Sequence, residues 1–185
     1  MKNQPALLLV LLSMFVMHSL SAQQSEWQDM GKNFPDTLYT SCLSDISCVG
    51  DTCWITVCNT AEMLYYSTDG CQTFTTKALP DQANAIHFLN HNLGYYVSQN
   101  RRVYKTTDGG DTWVMHGNGS GNGILRDISF PPNSTTGYAC GDYCTIIRIT
   151  PEGVSGNLLD TLGFVSILAS VYFTDSTHGY RVATT

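Results

Sequence analysis

The chain has 185 residues, 43% of them hydrophobic and only 13% charged, with a formal net charge of −6 at neutral pH. Acidic residues outnumber basic ones without forming a run of like charge, so no basic stripe exists to neutralise phosphates. Nucleic acid and anionic membrane surfaces are therefore excluded as expected partners.

Residues 1–22 have the three-part layout of a secretory signal peptide: Lys2, an apolar run over 6–17, then Ser19, Ser21 and Ala22 ahead of a polar stretch. The run is shorter than the ~20 residues that span a hydrocarbon core, so no membrane span is expected once the signal is removed. The expected destination is secretion or the cell surface, and the Ser-Ala-Gln-Gln ending is similar to signals of Gram-negative exporters. Residues 23–44 read as an N-terminal strand and linker. Trp27 sits there as on a strand leaving a turn, suited to completing a closing blade.

Seven cysteines fit an oxidising compartment. Cys48 and Cys53 flank a Gly-Asp turn signal, and so do Cys140 and Cys144, so each pair is placed to face across a hairpin. Disulfides and free buried thiols both remain open for them, and an odd total leaves at least one thiol without a partner in the chain. No CxxC and no Cys/His quartet points to a metal.

From residue 45 onward the chain repeats. Ser67-Thr68-Asp69-Gly70-Cys71-Gln72-Thr73-Phe74 aligns with Thr106-Thr107-Asp108-Gly109-Gly110-Asp111-Thr112-Trp113, with Asp69 and Asp108 39 residues apart. A Gly-Tyr dipeptide recurs at Gly94-Tyr95, Gly137-Tyr138 and Gly179-Tyr180, spaced 43 and 42 residues. Strands with these markers divide the chain into units 45–84, 85–126, 127–169 and a partial 170–185. Nothing between them has helical periodicity. Short strands, about four per unit and punctuated by Gly, Asn, Asp and Pro, at a ~40-residue period predict an all-β propeller of four-stranded blades. Three and a half units read as an incomplete, N-terminal portion; a four-bladed ring with a degenerate last blade is the competing expectation.

The segment at 106–113 resembles the Asp-box, or bacterial neuraminidase repeat (S/T-x-D-x-G-x-T-W). The copy at 67–74 resembles it with Cys71 for the glycine and Phe74 for the tryptophan. In the third unit Thr150-Pro151-Glu152-Gly153 holds the place without the Asp and Trp. The wider pattern resembles the repeats of photosystem II assembly-factor-like and sortilin-like propellers. The resemblance implies that the boxes lie at the blade periphery and serve folding. Ser67, Asp69, Thr73 and Phe74 in one box, and Thr106, Asp108, Gly110, Thr112 and Trp113 in the other, are then structural. Their chemistry agrees: the Asp accepts amides of its own turn, the glycine permits positive φ, and the aromatic packs on the sheets.

Asp-boxes are named from sialidases, which need an arginine cluster and a Tyr/Glu pair. Arg101, Arg102, Arg126, Arg148 and Arg181 show no such setting, nor do Glu26, Glu62 and Glu152. Asp45, Asp127, Asp142 and Asp175 are the carboxylates a glycosidase pair would draw on, yet turn and strand-start roles account for each. His87, His91, His116 and His178 share no metal or nucleophile motif. The glycine-rich run 117–123 joins two strands rather than opening a helix, so it is no phosphate cradle. Asn118 and Asn133 head glycosylation sequons. No catalytic residue, cofactor or metal is expected. The expected function is a secreted, non-catalytic propeller that binds or scaffolds protein or glycan. The alternatives are part of an Asp-box glycoside hydrolase whose catalytic residues lie outside this chain, or an assembly-factor-like propeller.

Overall fold

A computed structural model describes residue 33 and residues 43–58, 62–119, 123–157 and 167–184. All belong to the unit Gly31–Thr185; the unit Met1–Met30 is not described. The expected signal peptide, and the strand carrying Trp27, lie outside the described residues.

The described residues form three four-stranded antiparallel meanders and one hairpin. Sheet 1 contains β1 (Leu43–Val49), β2 (Thr52–Val57), β3 (Met63–Ser67) and β4 (Thr75–Ala78) in that order. Sheet 2 contains β5 (Ala83–Phe88), β6 (Gly94–Ser98), β7 (Arg102–Thr106) and β8 (Val114–Asn118). Sheet 3 contains β9 (Leu125–Ser129), β10 (Gly137–Gly141), β11 (Ile146–Thr150) and β12 (Gly153–Asn157). Sheet 4 is the pair β13 (Ile167–Phe173) and β14 (Gly179–Thr184).

In sheets 1 and 2 burial follows position within the sheet. The second strands TCWITV and GYYVS are buried along their whole length: each has a strand on either side, and GYYVS also has a sheet on each face. The fourth strands TTKA and VMHGN are the outer edge and are largely exposed. The first strands β1, β5, β9 and β13 lie side by side from sheet to sheet. This order, with each sheet presenting its first strand toward a shared axis and its fourth outward, is a propeller of successive blades.

The core lies between the sheets rather than within one of them. Trp54 and Leu64 of sheet 1 pack against Ile86, Phe88 and Tyr96 of sheet 2. Tyr95, Val97 and Val103 of sheet 2 pack against Ile128, Phe130 and Ile147 of sheet 3. Cys140 of sheet 3 packs against Leu168 and Val171 of sheet 4.

One aromatic arrangement recurs at all three seams. Phe88, Phe130 and Phe173 each end or follow a first strand, opposite Gly94, Gly137 and Gly179. A Cβ on those glycines would fall 2.7, 2.6 and 2.5 Å from the facing ring. Glycine is required there because the ring lies flat over the strand. On its other side each ring meets an aromatic of the preceding sheet. Trp54 stacks on Phe88 at 3.6 Å between centroids, Tyr95 on Phe130 at 5.0 Å and Tyr138 on Phe173 at 5.0 Å. The Gly-Tyr dipeptide thus has two jobs: the glycine seats its own sheet's Phe, and the tyrosine covers the next.

Sheet 1 departs from this pattern. Cys48 and Cys53 occupy the places of Phe and Gly, face each other across β1 and β2, and are joined by a disulfide. Cys58 is also disulfide-bonded, its partner lying outside the described residues. The similar pair at Cys140 and Cys144 is not joined. Cys140 faces Ile146 across the hairpin, and its Sγ lies 3.6 Å from the Leu168 carbonyl at the seam with sheet 4. Cys144 sits within the turn at φ 55°. The similar but one-residue-shorter spacing puts the two thiols out of register, so they do not oppose each other.

Candidate functional site

The four first strands line a cavity of about 540 Å³ along the axis. Its polar groups include Asp45, His87, Asp127 and Ser170. Asp45 and Asp127 hold equivalent places in β1 and β9, and each uses both carboxylate oxygens on backbone. Asp45 Oδ1 accepts Ile46 N–H at 2.8 Å, and Oδ2 accepts Ile86 N–H of sheet 2 at 2.8 Å. Asp127 Oδ1 accepts Ile128 N–H at 2.8 Å. Its Oδ2 accepts Val171 N–H at 2.7 Å and Ser170 O–H at 2.6 Å, both from sheet 4. Each carboxylate therefore ties two neighbouring sheets together at the axis.

Sheet 2 has Ala85 at this place, and there Asn84 Nδ2 donates to the Leu125 carbonyl of sheet 3 at 2.7 Å instead. Ser47 adds to the first seam by accepting Phe88 N–H at 2.9 Å.

Burial raises the Asp45 pKa above the ordinary carboxylate value, against the pull of the Ile86 and Ile46 amides; the nearby Asp127 charge adds to the rise. Burial lowers the His87 pKa, with Asp127 opposing, so its imidazole is neutral at neutral pH. His87 packs 5.3 Å from the Phe130 ring. Among the described residues no lysine or arginine lines this cavity. At the same end a second hollow of about 360 Å³ lies between the loops 89–93 and 131–135.

The other carboxylates weighed from sequence are elsewhere and are engaged. Asp142 forms a salt bridge with Arg126 Nε at 2.7 Å and accepts Ile124 N–H at 3.2 Å, fixing the β10–β11 turn. Asp175 accepts Thr177 and His178 amides in the β13–β14 turn, and its pKa falls to about 2, chiefly through the Thr177 hydroxyl. Arg101, Arg102, Arg126, Arg148 and Arg181 lie on different turns and strands of three sheets rather than in one cluster. Among the described residues no group of His, Cys, Asp and Glu is arranged to hold a metal ion. No described helix is long and apolar enough to cross a membrane.

The repeated S/T-x-D segments are the outer turns of sheets 1 and 2, between β3 and β4 and between β7 and β8. Asp69 Oδ1 accepts the Gln72 and Thr73 amides at 3.0 and 2.9 Å, while Thr73 O–H donates to Oδ2 at 2.6 Å. Ser67 Oγ accepts Cys71 N–H at 3.0 Å and donates to Asp69. Asp108 holds Thr112 in the same way, and Thr106 Oγ accepts Gly110 N–H at 2.9 Å. The Thr73 and Thr112 hydroxyls, then their amides, hold both carboxylates at a pKa of about 2.

Gly110 takes φ 88°; Cys71 takes the same place at φ 65° with a side chain. Asn33 Nδ2 donates to the Cys71 carbonyl at 3.0 Å. Trp113 packs on Phe88 and Tyr96, and Phe74 meets Tyr65 edge-on.

These outer turns also join sheets. Trp54 Nε1 and Lys77 Nζ of sheet 1 both donate to the Gly109 carbonyl of sheet 2 at 2.9 Å, and Lys77 pairs with Asp111 at 2.8 Å. Lys77 also lies 3.8 Å above the Tyr66 ring.

Sequence reasoning did not assign the axial bridges of Asp45 and Asp127. It also missed the pairing of each Phe with a glycine six or seven residues later. That second spacing is the signal that would have found the seam.

Meander sheets presenting their first strands to a common axial cavity define a β-propeller protein. Among solved structures the chain is similar to YCF48 bound to D1 peptide, with TM-score 0.58 and 17% identity, covering 77% of this chain and 46% of that one. It is similar to YCF48 from Cyanidioschyzon merolae, with TM-score 0.59 and 16% identity, covering 75% and 50%. It is also similar to the Pan2 WD40 domain of Neurospora crassa, with TM-score 0.58 and 13% identity, covering 80% and 46%. At these identities the likeness is one of fold. The chain spans about half the length of these structures. No protein-family model and no curated protein matches it.

Proposed function

We propose that the protein is an exported, non-catalytic propeller module that binds another protein at the axial cavity. The observation that carries this reading is the cavity of about 540 Å³, whose two carboxylates are committed to backbone amides of adjacent sheets. Groups held in that way build a rigid concave wall and are poorly placed to exchange protons with a substrate. Tyr172, exposed on that wall, and the His87 ring offer contact surface of the kind that peptide recognition uses. The peptide bound by YCF48 supports the choice of protein over other ligands. The Cys48–Cys53 disulfide fits the oxidising compartment that the expected signal peptide implies. The outer turns, read as Asp-boxes, then serve the fold alone.

The test is to pan a displayed peptide library against the full chain and to probe a carbohydrate array in parallel. The expected result is saturable peptide binding that His87→Ala weakens about tenfold, in the range of a well-placed contact residue. Binding confined to carbohydrates, or glycoside hydrolysis abolished by Asp45→Asn or Asp127→Asn, would contradict the reading.

A further inference from the structure

Each of the first three sheets presents an aromatic to the sheet that follows, and in each case that aromatic is covered. Trp54 and Tyr95 are buried, and Tyr138 is partly buried beneath Phe173. Two residues further along the same strands, Thr56, Val97 and Cys140 are wholly buried. Sheet 4 carries the same places. Tyr180 follows the Gly179 that seats Phe173, and Val182 follows two residues later. Yet Tyr180 is 63% exposed and Val182 60% exposed. Their cross-strand neighbours on this face are Tyr172 and Ser170. The face is thus one half of an interface whose other half is known from three copies: a strand with a buried Ile or Val (Ile86, Ile128, Val171), followed two residues later by a Phe lying over a Gly.

We propose that the Tyr180–Val182 face of sheet 4 is a seat for the inner hairpin of a further blade of this repeat, whose Phe ring stacks on Tyr180. Continuity with the three existing seams carries the proposal. The aromatic stands at the same register, one residue past the glycine, and on the same side of the sheet. The occupant that satisfies this geometry is a β-hairpin with Ile/Val-x-Phe on one strand and Gly on the other. A second copy stacked back to back, Tyr180 on Tyr180, offers no such Phe-over-Gly partner. The first sheet's own hairpin does not supply it either, because Cys48 and Cys53 stand where the Phe and Gly would be.

The probe is a backbone-cyclised peptide of residues 127–139, which carries Ile128, Phe130 and Gly137, titrated into the full chain. Circular dichroism of the peptide establishes that it is folded as strands. Saturable binding is expected, weakened about threefold to tenfold by Tyr180→Ala in the chain or by Phe130→Ala in the peptide, as for an aromatic pair. The two changes together should cost little more than one. His87→Ala, in the axial cavity, should leave hairpin binding unchanged, so failure here is separable from failure at the axial site. Tyr180 is a surface side chain, and an unchanged melting temperature checks that its replacement leaves the fold intact. A folded hairpin that does not bind would overturn the proposal, as would binding indifferent to Tyr180→Ala. So would a wild-type chain that sediments as a dimer and becomes monomeric on Tyr180→Ala, since a second copy would then hold the seat.

Discussion

Phe88 lies so closely over Gly94, its partner across β5 and β6, that a Cβ on Gly94 would sit 2.7–2.8 Å from three carbons of the ring. The ring cannot retreat, because Trp54 stacks against its other face at 3.6 Å. Gly94→Ala is therefore expected to destabilise the protein by about 1–3 kcal/mol, the usual cost of overpacking a filled core. Chemical denaturation checks it, and Gly137→Ala should behave alike under Phe130. Gly156→Ala, where a Cβ would meet nothing within 4 Å, is the control expected to show a far smaller change.

That relationship also shows how far the sequence could be read. The Gly-Tyr dipeptides and the two S/T-x-D turns are local signals at a fixed period, so the strand class and the propeller repeat are legible from the sequence. The physical purpose of Gly94, Gly137 and Gly179 depends on a ring from an adjacent strand and a second ring from another sheet, which no single segment contains. Asp45 and Asp127 look like strand-start residues for the same reason: their decisive partners, Ile86 and Val171, are 41 and 44 residues away. Cys140 and Cys144 mislead because a spacing near that of Cys48 and Cys53 does not carry the cross-strand register.

Cys71 holds a left-handed backbone conformation at φ 65°, where the matching residue of the next turn is Gly110. A non-glycine side chain there is strained. Cys71→Gly is expected to raise stability by about 1 kcal/mol, while Cys71→Ala, which keeps the Cβ, should leave it nearly unchanged. Thermal melts of the two variants side by side decide it.

Asp127 holds three donors at the seam between sheets 3 and 4, two of them backbone amides. Asp127→Ala strands these donors and is expected to cost about 1–3 kcal/mol. Loss of protection at Val171 should accompany it, read by amide hydrogen exchange. Protection within sheet 1 should be unaffected, since its tie to sheet 2 runs through Asp45.

The outer-turn aspartates make stability depend on acid. Asp69 and Asp108 sit at about 2 in the fold, held there by the Thr73 and Thr112 hydroxyls, against about 3.9 in an unfolded chain. A depressed folded value means that their contribution is complete above about pH 4 and is lost as pH falls toward about 2. Asp69→Asn and Asp108→Asn should each lower the urea midpoint at pH 7 and converge on the wild type near pH 2. Asp45, raised by burial, runs the opposite way: its protonation on acidification relieves the cost of a buried charge.

The functional reading stands on successive repeats being successive blades of one propeller. Aromatic nuclear Overhauser contacts in the folded chain test this most directly. The expected result is cross-peaks between Tyr95 and Phe130 and between Tyr138 and Phe173, whose rings lie 5.0 Å apart in both pairs, with none between Tyr95 and Phe173. Absence of both inter-sheet contacts in a folded protein, or contacts joining Tyr95 to Phe173, would contradict it.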